Sequence, residues 1–195
     1  MGFTRLADSL MYNDKEYIVI DYSKGTHPIL CADFKLSTPA PYNPSTNNHR
    51  GYIANYSIID GKLSGKKICY WYNERICSEE LPVQVTGAFV ISRIKHSGNY
   101  SFPFGGVEFY TEFPESYELI FNDGQLVEIR ILYEAYEEYQ KLEKSRRYCT
   151  GYLIAHQKKI ARKHLKYDYY IIPYTCREYC YEPYTELTFC DDDYE

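Results

Sequence analysis

The sequence contains no Gly-x-Ser-x-Gly elbow, no Gly-x-x-x-x-Gly-Lys phosphate loop and no Gly-x-Gly-x-x-Gly turn. The commonest signatures of serine hydrolases, phosphate-loop enzymes and dinucleotide oxidoreductases are therefore missing. No apolar run reaches the roughly 18 residues that read as a membrane span. Residues 1–17 have neither an apolar signal core nor an Arg-rich amphipathic pattern, so no signal peptide is expected. Gly2 is not followed by a myristoylation motif, because Leu6 stands where Ser or Thr is needed. The seven cysteines are odd in number and irregularly spaced. Without an export signal they predict reduced thiols and a cytoplasmic location. No cofactor is expected.

Tryptophan occurs once, against 9 phenylalanines and 24 tyrosines. Tyrosine joins a large apolar body to a polar tip, which suits half-wet surfaces and interfaces. Apolar residues make up 45% of the chain, enough for a core in one domain with an appendage. The net charge of −5 is segregated: residues 1–140 carry −6, residues 141–166 carry +8 and residues 167–195 carry −7. An acidic body, a basic stretch and an acidic tail follow one another.

The clearest local signal runs from Arg50 to Tyr72. Tyr52, Ile53, Tyr56, Ile58 and Ile59 are strand formers, Asp60-Gly61 suits a two-residue turn, and Leu63, Ile68, Tyr70 and Tyr72 return. Gly65 predicts a bulge or second bend. Residues 17–22 read as a strand, 29–36 as a second, and the Pro- and Asn-rich 37–49 as a loop. Residues 73–81 read as irregular. Residues 83–94 form a strand pattern with Gly87 as a bulge, and the aromatic stretch 100–112 follows as strand segments. A second hairpin is predicted for residues 116–121 and 125–131 across Asn122-Asp123-Gly124.

The period then changes. Leu132, Tyr136, Tyr139 and Leu142 recur at helical steps, with Glu134, Glu137 and Glu138 early and Lys144, Arg146 and Arg147 late, the charge order a helix dipole favours. Residues 152–167 predict a second helix, after a break at Thr150-Gly151. The tail repeats Pro-Tyr-Thr, four residues, Cys, at 173–180 and 183–190. The fold expected is α+β: an antiparallel sandwich or barrel-like body over residues 1–133, a basic helical segment over 134–167, and an extended, Tyr-rich acidic tail over 168–195.

The order Arg50-Gly51-Tyr52, Asp60-Gly61, Thr86-Gly87-Ala88, Phe104-Gly105-Gly106, Tyr117-Glu118-Leu119 and Asp123-Gly124 resembles a family of small, uncharacterised bacterial β-rich proteins. The resemblance implies a β fold and a bacterial or phage origin, and no activity. Gln84-Val85 departs from the family's Trp-Phe-type segment.

Each candidate site has a plainer reading beside it. Cys176 and Cys180 have the spacing of half a zinc site, but no clean second pair follows, so no metal is expected. His49 and Arg50, with Glu108 and Glu112 on one strand face by parity, offer a polar pocket for a hydrolase; solvated face residues look the same. Lys158, Lys159, Arg162 and Lys163, with Tyr152 near them, suit nucleic acid; the plainer alternative is the wet side of a helix. Tyr174, Tyr179 and Tyr184 suit a recognition strand that adds to a partner's sheet or pairs two copies through the tail; an intramolecular strand sealing an edge is the alternative. The leading expectation is a non-enzymatic module that binds a protein partner, such as an immunity or inhibitor protein in bacterial or phage conflict. Hydrolase chemistry at His49 or a carboxylate pair, and nucleic-acid binding by the basic helix, are the alternatives.

Overall fold

A computed structural model describes residues 8–26, 52–71, 74–77, 79–93, 107–144 and 150–169. Three two-residue turns set its architecture. Asn13-Asp14, Asp60-Gly61 and Asp123-Gly124 all have positive φ at both central positions, between 48° and 75°. That geometry matches the twist of paired strands, and Asn, Asp and Gly tolerate it best. The turns join β1 (Ser9–Tyr12) to β2 (Lys15–Tyr22), β3 (Tyr52–Ile59) to β4 (Lys62–Trp71), and the last strand pair, β8 (Ser116–Asn122) to β9 (Gln125–Ile131). Between them lie β5 (Glu74–Cys77), β6 (Leu81–Pro82) and β7 (Gly87–Ser92). Seven strands close a barrel in the order β3-β1-β2-β7-β8-β9-β4, with β3 paired back to β4. The body is not wholly antiparallel, because β1 and β3 run parallel from Ser9↔Asn55 to Met11↔Ser57. Asp8 supports that junction. Its buried carboxylate accepts the Ala54 N–H at 2.8 Å and the Tyr22 hydroxyl.

The barrel interior is packed with side chains. Phe89 lies at its centre, with ring centroids 4.8 Å from Tyr22, 5.4 Å from Tyr56 and 5.0 Å from Phe121. The edge-on and tilted geometries favour contact between ring edges and faces. Complete burial of one such ring stabilises by about 1.5–3 kcal/mol. Gly65 is not at a bulge, since the β3–β4 register runs unbroken through Tyr56↔Gly65. A Cβ there would come within 2.9 Å of the Tyr56 ring, so glycine makes room for an aromatic across the strand. Gly87 opens β7 rather than bulging it. The approach of Ser23 and Thr26 requires glycine, as a Cβ would lie 1.9 Å from Thr26 Oγ1. The register shifts fall elsewhere, at Val19/Asp21 and at Ile120/Phe121.

A second core lies outside the barrel. Ala88, Val90 and Ile120 are covered by α1 (Tyr133–Lys144) and α2 (Thr150–His164), which contribute Ala135, Tyr139, Ile160 and Ala161. Strand β7 is buried at all six positions because both its faces are covered. Residues 74–77 and 81–82 pair with β4, so the polar stretch 73–81 is not irregular throughout. Val107–Glu112 form a 3-10 helix, so Glu108 and Glu112 do not share a strand face. Thr150 and Gly151 are the first two residues of α2, a helix separate from α1 as the break between them predicts. The expected strand 29–36, the loop 37–49 and the tail repeats lie outside the described residues.

Candidate docking surface

The two halves of the barrel meet at hairpin tips. β4 and β9 share one register pair, Lys62↔Gln125. Leu63 N–H donates to Gly124 O at 2.8 Å and Leu126 N–H to Gly61 O at 2.7 Å. Beyond this seam β4 pairs with β5 and β6, while β9 runs on past the tip of the β3–β4 hairpin. Among the described residues, β9 has no strand neighbour on that side after Leu126. Val127 is 57%, Ile129 41% and Ile131 72% exposed. Tyr133, at the start of α1, and Ile59, beside the seam, are exposed too. Isolated exposed apolar residues are ordinary, but a run of them on an open strand marks an interaction surface.

Tyrosines stand beside this run. Ile131 pairs with Tyr117, whose ring centroid lies 5.7 Å from Tyr17 and 6.4 Å from Tyr12. Glu115 fixes the cluster at its rim. Its carboxylate accepts the Tyr17 hydroxyl at 2.9 Å, Lys15 Nζ at 3.1 Å and Arg93 at 3.0 Å. Burial raises the Glu115 carboxyl, but the bonds from Lys15, Arg93 and Tyr17 outweigh it and hold the group below the usual carboxylate range. Tyr17 moves upward through burial and its bond to the same carboxylate.

The outer face of this ladder is anchored by Glu118, which is completely buried. It accepts Arg130 at 3.0 Å, the Tyr169 hydroxyl at 3.0 Å, and the main-chain N–H groups of Lys166 and Tyr167 at 2.9 and 3.0 Å. Lys166 also pairs with Glu128 of β9. The chain after α2 is thus fixed to β8 and β9, and β9 stays in place although one flank is open. Beside this network the Tyr110 hydroxyl is buried without a hydrogen bond among the described residues. Burial, and then the Glu118 charge, push that phenol upward.

Among the described residues, those expected to carry function fall on two elements, α2 and the 3-10 helix. Lys158 is only 6% exposed, so it does not present its charge on a wet face. Lys163 Nζ pairs with Glu138 at 2.8 Å, and His164 Nε2 meets the same carboxylate at 3.0 Å. These bonds, that from His164 first, lower the Glu138 carboxyl and tie α2 to α1. Lys159 and Arg162 are exposed. Tyr152 lies in the first turn of α2. Glu112 accepts Gln157 Nε2 at 3.1 Å, linking the 3-10 helix to α2. Glu112 is exposed as a residue, and its carboxylate is bound to the buried Gln157. Burial and the Glu143 charge raise it against the lowering Gln157 bond. His49, Arg50, Tyr174, Tyr179, Tyr184, Cys176 and Cys180 lie outside the described residues. Val127, Ile129 and Ile131 do not stand out as a surface in the sequence, because alternation with Glu128 and Arg130 reads as a strand with its apolar face inward. No helix among the described residues is long and apolar enough to cross a membrane. No family model, curated protein or solved structure matches the chain, so the resemblance rests on the order of its motifs alone.

Proposed function

We propose that the chain is a macromolecule-binding module whose docking surface is the open flank of β9 with the adjoining tyrosines. The supporting observation is the apolar run of Val127, Ile129 and Ile131 on a strand without a neighbour on one side among the described residues. An extended segment from a partner adds to such an edge through main-chain hydrogen bonds and fills the apolar face with alternate side chains. Tyr12 and Tyr117, half-buried, supply ring area at little entropic cost. An inhibitor or immunity protein would use a surface of this kind to occlude its target.

The test compares the wild-type chain with Ile131→Lys and Lys159→Glu as baits in a native lysate. A partner retained by Lys159→Glu and lost with Ile131→Lys supports the reading. An identical set of proteins on all three baits, with no self-association of the chain, sinks it. A partner, protein or nucleic acid, lost only with Lys159→Glu moves the site to α2.

A further inference from the structure

Resting on that reading, we infer that the strand which adds to β9 is β9 of a second copy of this chain, antiparallel about a two-fold axis at Ile129. The main chain sets up the pairing. Leu132 N–H donates to Ser116 O of β8. By the alternation of an antiparallel ladder, Arg130 and Glu128 turn their main-chain groups toward β8, and Ile129 and Ile131 turn theirs toward the open side. Two copies placed antiparallel about Ile129 exchange both Ile129 N–H···O bonds across the axis.

The side chains select this register. With Ile129 on the axis, Glu128 of one copy lies opposite Arg130 of the other, twice by symmetry. Val127 lies opposite Ile131 on the other face, also twice. Opposite charges and apolar pairs directly across a ladder are each favourable. An axis through Glu128 or Arg130 instead sets like charges against one another, which is unfavourable. The same patch serves both copies, as a two-fold interface requires. Glu128 and Arg130 keep side-chain exposures of 40% and 34% beside their existing bonds to Lys166 and Glu118, so both can reach across. The contact is a short strand, placing it among small, concentration-dependent interfaces.

The experiment uses the full chain. Sedimentation over a wide concentration range should show a monomer–dimer equilibrium. Ile129→Lys sets two lysines together at the axis and should weaken it by on the order of a hundredfold, with unchanged far-ultraviolet dichroism. An equally strong dimer in Ile129→Lys overturns the inference. A second measurement needs no variant: hydrogen exchange at the Ile129 and Ile131 amides of the wild-type chain. Protection that rises with protein concentration supports the paired edge. Protection independent of concentration means that the chain's own residues cover the edge, and overturns it. No protection at any concentration also overturns it, while a foreign partner lost with Ile131→Lys would leave the docking reading standing.

Discussion

Leu119 of β8 and Ile129 of β9 stand opposite each other on one face of one ladder, yet Leu119 is fully buried and Ile129 is 41% exposed. Their side chains are isomers and their strands are joined by a tight turn. The difference lies in the next neighbour. β8 has β7 on its far side from Ser116 to Phe121, whereas β9 has β4 only at Lys62↔Gln125. Apolar alternation thus marks a face suited to burial, and the topology decides whether anything buries it. On the outer face the contrast recurs in charge: Glu118 of β8 is saturated with donors, while its register partner Arg130 remains partly exposed.

The largest effect should come from the outer face. Glu118→Ala leaves Arg130, the Tyr169 hydroxyl and two main-chain N–H groups without their acceptor. Breaking a buried charged network by removing one partner costs about 3–5 kcal/mol. Urea denaturation should show that loss, and exchange at the Lys166 and Tyr167 amides should rise well before global unfolding. If those amides stay protected, Glu118 does not hold the chain after α2 against the ladder.

The inner face gives the sharper test. Leu119→Ala should cost about 2–5 kcal/mol, the range for truncating a buried leucine. Ile129→Ala should stay within about 0.5 kcal/mol of wild type, as for exposed positions, when measured at low protein concentration. At high concentration the difference should widen, because self-association stabilises the folded chain by mass action. Equal losses at the two positions under dilute conditions would mean that β9 is covered as fully as β8.

This contrast also explains how much could be read from the chain. The Asp-Gly pairs at 60–61 and 123–124 made two hairpins legible, since each turn is a two-residue event written locally. The helices were legible from periodicity, and their packing explains why β7 lacks alternation. The first hairpin was missed because Asn13-Asp14 turns without glycine and β1 has four residues. β5 was missed because Glu74 and Arg75 look like loop residues, although pairing with β4 makes them a strand. Glu108 and Glu112 lie on a 3-10 helix where aromatic density predicts extended chain. The open flank of β9 was illegible for a deeper reason. Exposure of Ile129 depends on β4 diverging, and no residue near 129 encodes the path of residues 62–71.

The smallest effects separate two carboxylates that flank the entry to β8. Glu115 sits below its ordinary range through Lys15, Arg93 and Tyr17, and Glu112 above its own through burial and Glu143. The signs follow by linkage. A carboxyl lowered by folding stabilises above its unfolded value, near 4.3, and loses that contribution as pH falls through the folded value. One raised by folding favours the native state below the unfolded value and loses that contribution as pH rises through the folded value. Glu115→Gln should therefore lower stability at neutral pH, by less than about 1 kcal/mol for partly exposed ion pairs, and flatten the acid limb of the stability curve. Glu112→Gln should raise stability at neutral pH and leave that limb steeper, because it removes a group that gains on acidification. Urea midpoints of both variants at neutral and acidic pH decide the matter. Loss of stability at neutral pH in Glu112→Gln would mean that its bond with Gln157 outweighs the crowding. An unchanged acid limb in Glu115→Gln would mean that Lys15 and Arg93 bind the carboxylate too weakly to hold the tyrosine rim beside β9.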